Sequence, residues 1–150
     1  MMRRIAALGL DVGRKRVGVA GCDGTGLIAT GIMTLYRSSF DADIATLQKL
    51  IADRQIEILV VGLPYTMAGE LGYQAKQVQK YAERLSQALA LPLAYVDERL
   101  TSIEAKNLIQ AGKRARRHDK GLVDRKAAAI ILQQWLDEQR AHNFSDLDRC

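Results

Sequence analysis

Residues 5–20 read IAALGLDVGRKRVGVA, two strand-like segments around a short polar turn. The first segment is an apolar run that ends at Asp11, and the second, Arg16–Ala20, alternates valine with small residues. Two such runs around a polar turn predict a β-hairpin. Ile28–Leu35 has the same strand-like character, so the chain is predicted to open with a three-stranded meander.

Beyond the meander, the hydrophobic pattern changes between helical and strand-like spacing. The β-branched run 56–62 is typical of a strand that helices cover on both faces, and a shorter strand at 93–96 leads into Asp97 and Glu98. The predicted helices are 40–51, 75–89, 101–111 and a last one whose apolar face carries Val123, Ala127, Ile130, Ile131 and Trp135. This order predicts an α/β fold, a mixed five-stranded sheet with helices packed on it.

Length and composition predict one small domain with an affinity for polyanions. We expect residues 1–150 to form a single domain, with a core over about 5–136 and a polar tail at 141–150. Hydrophobic residues make up 48% of the chain, which is enough for a sizeable core. The 22 Lys and Arg residues exceed the 17 Asp and Glu residues, for a net charge of +5, which favours nucleic acid as a partner.

Cysteine content and apolar run lengths indicate the compartment. Cys22 and Cys150 are too few for a disulfide framework and are expected to be free thiols in a reducing environment. The N-terminal apolar run is too short for a signal peptide, and no run approaches the roughly 20 apolar residues of a membrane span. We therefore expect a soluble, cytoplasmic protein.

Carboxylates at separated strand and helix ends are the candidate chemical groups. Asp11 ends the first strand, Asp97 and Glu98 end the last strand, and Asp124 lies in the predicted first turn of the last helix. Taken singly, each has a structural explanation: a turn aspartate, a charged strand end, or an acid at a helix N-terminus. Because successive strand residues point to opposite faces, only one of Asp97 and Glu98 is expected to face a site near Asp11.

Taken together, three such acids suit a hard cation such as Mg²⁺, which prefers oxygen ligands. Two such ions about 4 Å apart can activate a water and stabilise the leaving oxygen of a phosphodiester. Basic residues are expected to contact phosphates from a loop, Lys113–Lys120, that lies between Gly112 and Gly121. The basic candidates in this loop and in the first turn are Lys113, Arg114, Arg116, Arg117 and Lys120, with Arg14, Lys15 and Arg16.

Four motifs, in this order, resemble the YqgF family of bacterial proteins over about residues 5–136. They are GLDVGRKRVGVA at 9–20, VGLP at 61–64 followed by MAG at 67–69, DERLT at 97–101, and KGLVD at 120–124. The resemblance implies a ribonuclease-H-like fold, metal-dependent phosphodiester hydrolysis, and a substrate that is pre-16S ribosomal RNA or a Holliday junction. The family commonly has Asn-Met-Asp-Gly where this chain has Thr66-Met67-Ala68-Gly69.

By motif position, the family's three acids fall on Asp11, on Asp97 or Glu98, and on Asp124; we choose Glu98, which reaches further from a strand end. The first hypothesis is thus a nuclease acting on structured RNA with Mg²⁺ or Mn²⁺, in which Arg99 joins the basic candidates. The second takes branched DNA as the substrate, which requires a dimer for a symmetric cut. The third is a non-catalytic nucleic-acid-binding factor in ribosome assembly or transcription.

Overall fold

The computed structural model describes residues 5–22, 28–64, 72–97 and 117–148, with side chains described up to 141 in the last range. Its five strands are β1 (Ala7–Val12), β2 (Arg16–Cys22), β3 (Ala29–Tyr36), β4 (Ile58–Leu63) and β5 (Leu93–Asp97). The helices of the described residues are α1 (Phe40–Arg54), α2 (Tyr73–Leu89) and α3 (Arg117–Asp148). The predicted helix 101–111 lies outside the described residues.

The strands form one mixed sheet in the order β3-β2-β1-β4-β5. The meander pairs antiparallel, whereas β1 pairs parallel with β4, and β4 pairs parallel with β5. This arrangement confirms the predicted five-stranded mixed sheet. The parallel pairs arise because α1 and α2 carry the chain back across the sheet between successive strands.

Alternation along the strands gives the sheet two different faces. On the first, which we call the α1/α2 face, Leu8, Leu10 and Val12 pack with side chains of α1 and α2. On the second, the α3 face, Ala7 packs with buried residues of α3. Asp11 has the same parity as Ala7 and so lies on the α3 face.

Both helices on the α1/α2 face end in left-handed residues. Ser39 caps α1 by accepting a hydrogen bond of 3.1 Å from the Ala42 N–H, and Gln55 follows the helix with φ 54°. Ala90 follows α2 with φ 55°, so the chain turns before Pro92 rather than at it. Each helix therefore stops on a backbone conformation that non-glycine residues rarely adopt.

The start of α3 differs from the prediction. Residues 117–120, predicted as part of a basic loop, are helical, and Gly121 lies inside the helix rather than at a loop end. Asp124 is therefore about two turns into α3, not in its first turn. Lys and Arg are good helix formers, so a helix can include a basic segment that lacks any hydrophobic period.

The buried stripe of α3 is also rotated from the predicted one. Ile131 and Trp135 are buried as predicted, but Val123, Ala127 and Ile130 are only half-buried. The other buried apolar residues of the helix are Ala128, Leu132 and Leu136.

Glycines on β1 and β2, which have no side chain, let α3 approach the sheet closely. A Cβ atom on Gly18 would lie 1.9 Å from the carbonyl oxygen of Asp124, and one on Gly9 would lie 2.7 Å from the Cβ of Leu132. Real Cβ atoms do not approach other heavy atoms so closely, so any larger residue at Gly18 would move the α3 backbone. The position of Asp124 thus depends on a glycine in the neighbouring strand.

We expect Gly18→Ala to lower the free energy of unfolding by about 2 kcal/mol or more, because the new methyl group meets rigid helix backbone. Urea denaturation measures the change. Gly121→Ala is the matched control, since its Cβ would lie 3.2 Å from a side-chain hydroxyl of Tyr36. Alanine is also favoured inside a helix, so this control should stay within about 1 kcal/mol of the wild type. Equal stability of both variants would contradict the close approach.

Candidate active site

Asp11 and Asp124 both lie next to Gly18 on the α3 face of the sheet. Asp11 is the ladder partner of Gly18 in the β1–β2 pair. The Asp124 backbone packs directly on Gly18 from α3. Two of the three predicted acids, which are separated by most of the chain, are thus brought together by β1, β2 and α3.

An ion pair holds the Asp124 side chain. The Arg16 Nε donates to Asp124 Oδ2 at 2.6 Å, and the two side chains are 27% and 22% exposed. Charge-assisted hydrogen bonds of this length are stronger than neutral ones. The sequence predicts Arg16 only as a phosphate contact, because no local pattern identifies a partner so distant along the chain.

Contacts with β3 fix the segment of α3 that carries Asp124. The buried Thr34 hydroxyl donates to the Gly121 carbonyl oxygen at 2.5 Å. The Arg125 guanidinium donates in turn to the Thr34 hydroxyl at 3.5 Å. These bonds lie on either side of Asp124 along the helix, so they restrain both its height above the sheet and its rotation.

Asp97, the first of the two acids predicted at the end of the last strand, lies on the face opposite to Asp11. Tyr95 packs on the α1/α2 face and Val96 on the α3 face. Alternation therefore puts Asp97, the last residue of β5, on the α1/α2 face, opposite to Asp11. Glu98 lies outside the described residues.

The predicted basic residues divide between described and undescribed segments. Arg14 and Lys15 are exposed in the β1–β2 turn. Arg117 and Lys120 belong to α3, but their side chains are not described. Outside the described residues lie Arg99, Lys113, Arg114 and Arg116.

The acids present fit a hard cation. Asp11 and Asp124 offer carboxylate oxygens from a strand and a helix that are both held by packing, and Mg²⁺ commonly takes one or two carboxylates plus waters. Among the residues that the structure describes, no group of three His, Cys, Asp or Glu side chains is close enough to form a metal site. The third predicted ligand, Glu98, is not among those residues.

A basic cleft that the sequence analysis missed lies on the other side of the β1–β2 turn. Its volume is about 590 Å³, and it runs between this turn and α2. Its basic lining residues are Arg14, Arg37, Lys80 and Arg84. The signal in the sequence is weak, because Lys80 and Arg84 occupy one helical turn of an otherwise ordinary amphipathic helix.

A buried hydrogen bond lies beneath this cleft. Asp43 is 3% exposed and accepts from the Tyr81 hydroxyl at 3.1 Å and from the Ser38 N–H at 3.3 Å. Burial raises the pKa of Tyr81 from 10.0 to about 12, and the negative charge of Asp43 adds to the rise. Tyr81 therefore stays neutral and keeps donating to Asp43 throughout the physiological pH range.

The mixed sheet in the order β3-β2-β1-β4-β5, with helices on both faces, has the ribonuclease-H-like fold, and the matches to known proteins that follow define the class as a nuclease. Residues 5–138 match the family described as RuvX: Holliday junction resolvase. The chain belongs to this family, which is the YqgF family that its motifs resemble.

Curated relatives and one solved structure agree with this assignment. Proteins of Synechocystis and Microcystis aeruginosa, provisionally named pre-16S rRNA nucleases, are each 65% identical over 142 residues, which cover 95% of this chain and 93% and 98% of those proteins. RuvC of Thermus thermophilus, in complex with a Holliday junction substrate, superimposes with a TM-score of 0.55 at 13% identity, covering 91% of this chain and 96% of RuvC. At that identity the likeness shows the fold alone.

In the described part of the chain, no helix is long and apolar enough to span a membrane.

A double-mutant cycle on Arg16→Gln and Asp124→Asn should give a coupling energy of about 1 kcal/mol in urea denaturation, because the pair is charge-assisted and largely shielded from solvent. The matched control is the ion pair between Arg140 and Asp137 on α3, whose side chains are 46% and 52% exposed. We expect no more than about 0.5 kcal/mol there. Equal coupling in the two pairs would contradict a specific role for Arg16.

Stability should fall as the pH rises from 10 to about 12, the interval between the ordinary and the raised pKa of Tyr81. In that interval the unfolded chain loses the phenolic proton and the folded chain keeps it, so deprotonation favours unfolding by up to about 1.4 kcal/mol per pH unit. Tyr81→Phe should reduce this slope in urea denaturation. Tyr73→Phe removes an exposed hydroxyl and should keep the wild-type slope; a reduction there instead would assign the effect to the wrong tyrosine.

Proposed function

We propose that this nuclease cuts structured RNA, in the maturation of pre-16S ribosomal RNA in the cytoplasm, with Asp11, Glu98 and Asp124 as the carboxylates that hold Mg²⁺ or Mn²⁺. The observation that carries the proposal is the position of Asp11 and Asp124, both next to Gly18 on one face of the sheet. The names of the curated relatives support the choice of ribosomal RNA precursor.

Glu98 is proposed as the third acid because strand alternation disfavours the alternative, Asp97. Asp97 pairs with Leu63 of β4 and lies on the α1/α2 face, opposite to Asp11. Of the two acids in the motif, Glu98 is therefore the one that we propose.

In the proposed hydrolysis, some residues of the chain hold the carboxylates in position and others bind the phosphates of the substrate. The strand ladder fixes the backbone position of Asp11, and Arg16 holds the carboxylate of Asp124. A divalent cation, once bound, supplies a nucleophilic water at neutral pH and a positive charge at the leaving oxygen. Phosphates on either side of the cut are contacted by Arg14 and Lys15, together with Arg99, Lys113, Arg114, Arg116, Arg117 and Lys120. Arg16 adds only the N–H groups that its bond to Asp124 leaves over.

Branched DNA is the second candidate substrate, because the family is described as a Holliday junction resolvase. The chemistry and the three acids would be the same. The distinguishing requirement is a pair of active sites, since a symmetric cut of a junction needs two copies of the chain.

We expect Asp11→Asn to lower metal-dependent cleavage by at least about 100-fold, because an amide is a poorer cation ligand than a carboxylate. Glu98→Gln should do the same. The measurement is cleavage of labelled ribosomal RNA precursor and of a four-way DNA junction, each with Mg²⁺, with Mn²⁺ and with EDTA.

Asp97→Asn is the matched control for these variants, since it removes the acid next to Glu98 in the sequence, which lies on the face opposite to Asp11. Its cleavage rate should stay within about threefold of the wild type. Cleavage of the junction alone would show that the substrate is branched DNA and not RNA. Binding of both nucleic acids without any cleavage would instead support a non-catalytic binding factor.

A further inference from the structure

The basic cleft between the β1–β2 turn and α2 has a positive charge that is separate from the candidate active site. Among the described residues that line it, four are basic and none is acidic. Arg14 comes from the turn and Arg37 from the segment after β3, whereas Lys80 and Arg84 come from one face of α2. Positive charge from three separate segments therefore converges on one concave surface.

Two of these guanidinium groups are fixed in place before any ligand binds. Arg37 lies over the Tyr81 ring at 4.0 Å from its centroid and donates to the Gly13 carbonyl oxygen at 2.8 Å. Arg84 lies over the Phe40 ring, also at 4.0 Å. An arginine stacked on a ring keeps N–H groups available at its edge, and little side-chain entropy remains to be lost on binding.

The buried acid beneath the cleft offsets only part of this charge, one carboxylate against four basic side chains. Both carboxylate oxygens of Asp43 accept hydrogen bonds from the protein, one from Tyr81 and one from Ser38. Asp43 is 3% exposed, so it offers nothing to a ligand in the cleft. What the cleft presents to a ligand is the cationic and neutral polar lining.

The cleft is joined to the candidate active site by adjacent residues of one strand. Val12 lines the cleft, whereas Asp11, its neighbour, lies on the opposite face of the sheet. The turn residues Gly13 and Arg14 also line the cleft, so this turn forms the edge between the two surfaces. A polymer held at Asp11 needs only to cross this turn to enter the cleft.

We propose that this cleft binds the phosphodiester backbone of the same nucleic acid, a few nucleotides from the bond that is cut. The proposal rests on the proposed function for its choice of nucleic acid as the ligand. Arg37, Lys80 and Arg84 contact phosphates there, as an extension of the contacts made by Arg14. Tyr73, which is 74% exposed at the rim, provides a ring on which a base can stack.

The test is nucleic-acid binding without catalysis, measured in EDTA by fluorescence anisotropy with labelled single-stranded and duplex RNA over a series of salt concentrations. The test variant is Lys80→Gln with Arg84→Gln. The matched control is Lys49→Gln with Arg140→Gln, two residues outside the cleft lining on α1 and α3. Each double variant lowers the net charge from +5 to +3, so a general charge effect would be the same in both.

The cleft variant should bind about tenfold more weakly at moderate salt, and its slope of log affinity against log salt should be shallower by about 0.7 to 0.9 for each phosphate contact that is lost. The control should keep the wild-type slope. The single variant Lys80→Gln, at an exposed helix position, should lose about one contact and guards against misfolding of the double variant. Equal slopes for the cleft variant and the control would overturn the proposal.

Cleavage separates failure of this proposal from failure of the proposed function. An oligonucleotide too short to span the turn should be cut at the wild-type rate by the cleft variant, while a long substrate should show a raised KM and an unchanged kcat. The wild type could cleave no substrate while the cleft variant still shows a shallower slope of log affinity against log salt. That result would contradict the proposed nuclease function and support the proposed binding cleft. Displacement of RNA by polyglutamate of equal charge would overturn the cleft as a phosphodiester site.

Discussion

The contact between α3 and the bare backbone of Gly18 is the constraint on which the rest of the site depends. At that point the helix lies so close to β2 that no side chain fits between them. The same closeness puts Asp124 beside the ladder position of Asp11. A second glycine, Gly9, repeats the close approach where Leu132 packs, so two strands without side chains at these positions determine where the helix lies.

Because side chains alternate along β1, two consecutive residues contribute to two different surfaces of the protein. Asp11 contributes to the α3 face, and Val12 contributes to the opposite face and to the basic cleft. A shift of one residue in the register of this strand would exchange the two. The ladder with β2 on one side and with β4 on the other therefore fixes both the acid and the cleft at once.

The strands and the helices α1 and α2 could be predicted from the sequence because their hydrophobic periods are strong. The start of α3 could not, because Arg117–Lys120 has no apolar period, although the backbone there is helical. That error also placed Asp124 in a first helical turn, where the helix dipole alone would explain an acid. The ion pair between Arg16 and Asp124 was beyond sequence reasoning, since it joins positions that only the fold brings together.

Arg16 explains how the carboxylate of Asp124 is held in place on the α3 face. A partly buried carboxylate loses solvation, and a counter-charge offsets that loss. The Arg16 guanidinium supplies the counter-charge, with Nε at 2.6 Å from Oδ2 of Asp124. Part of the net positive charge of the chain therefore acts inside the protein on an acid. Composition alone, which assigns every basic residue to a polyanion, could not separate this role from the phosphate contacts of the surface.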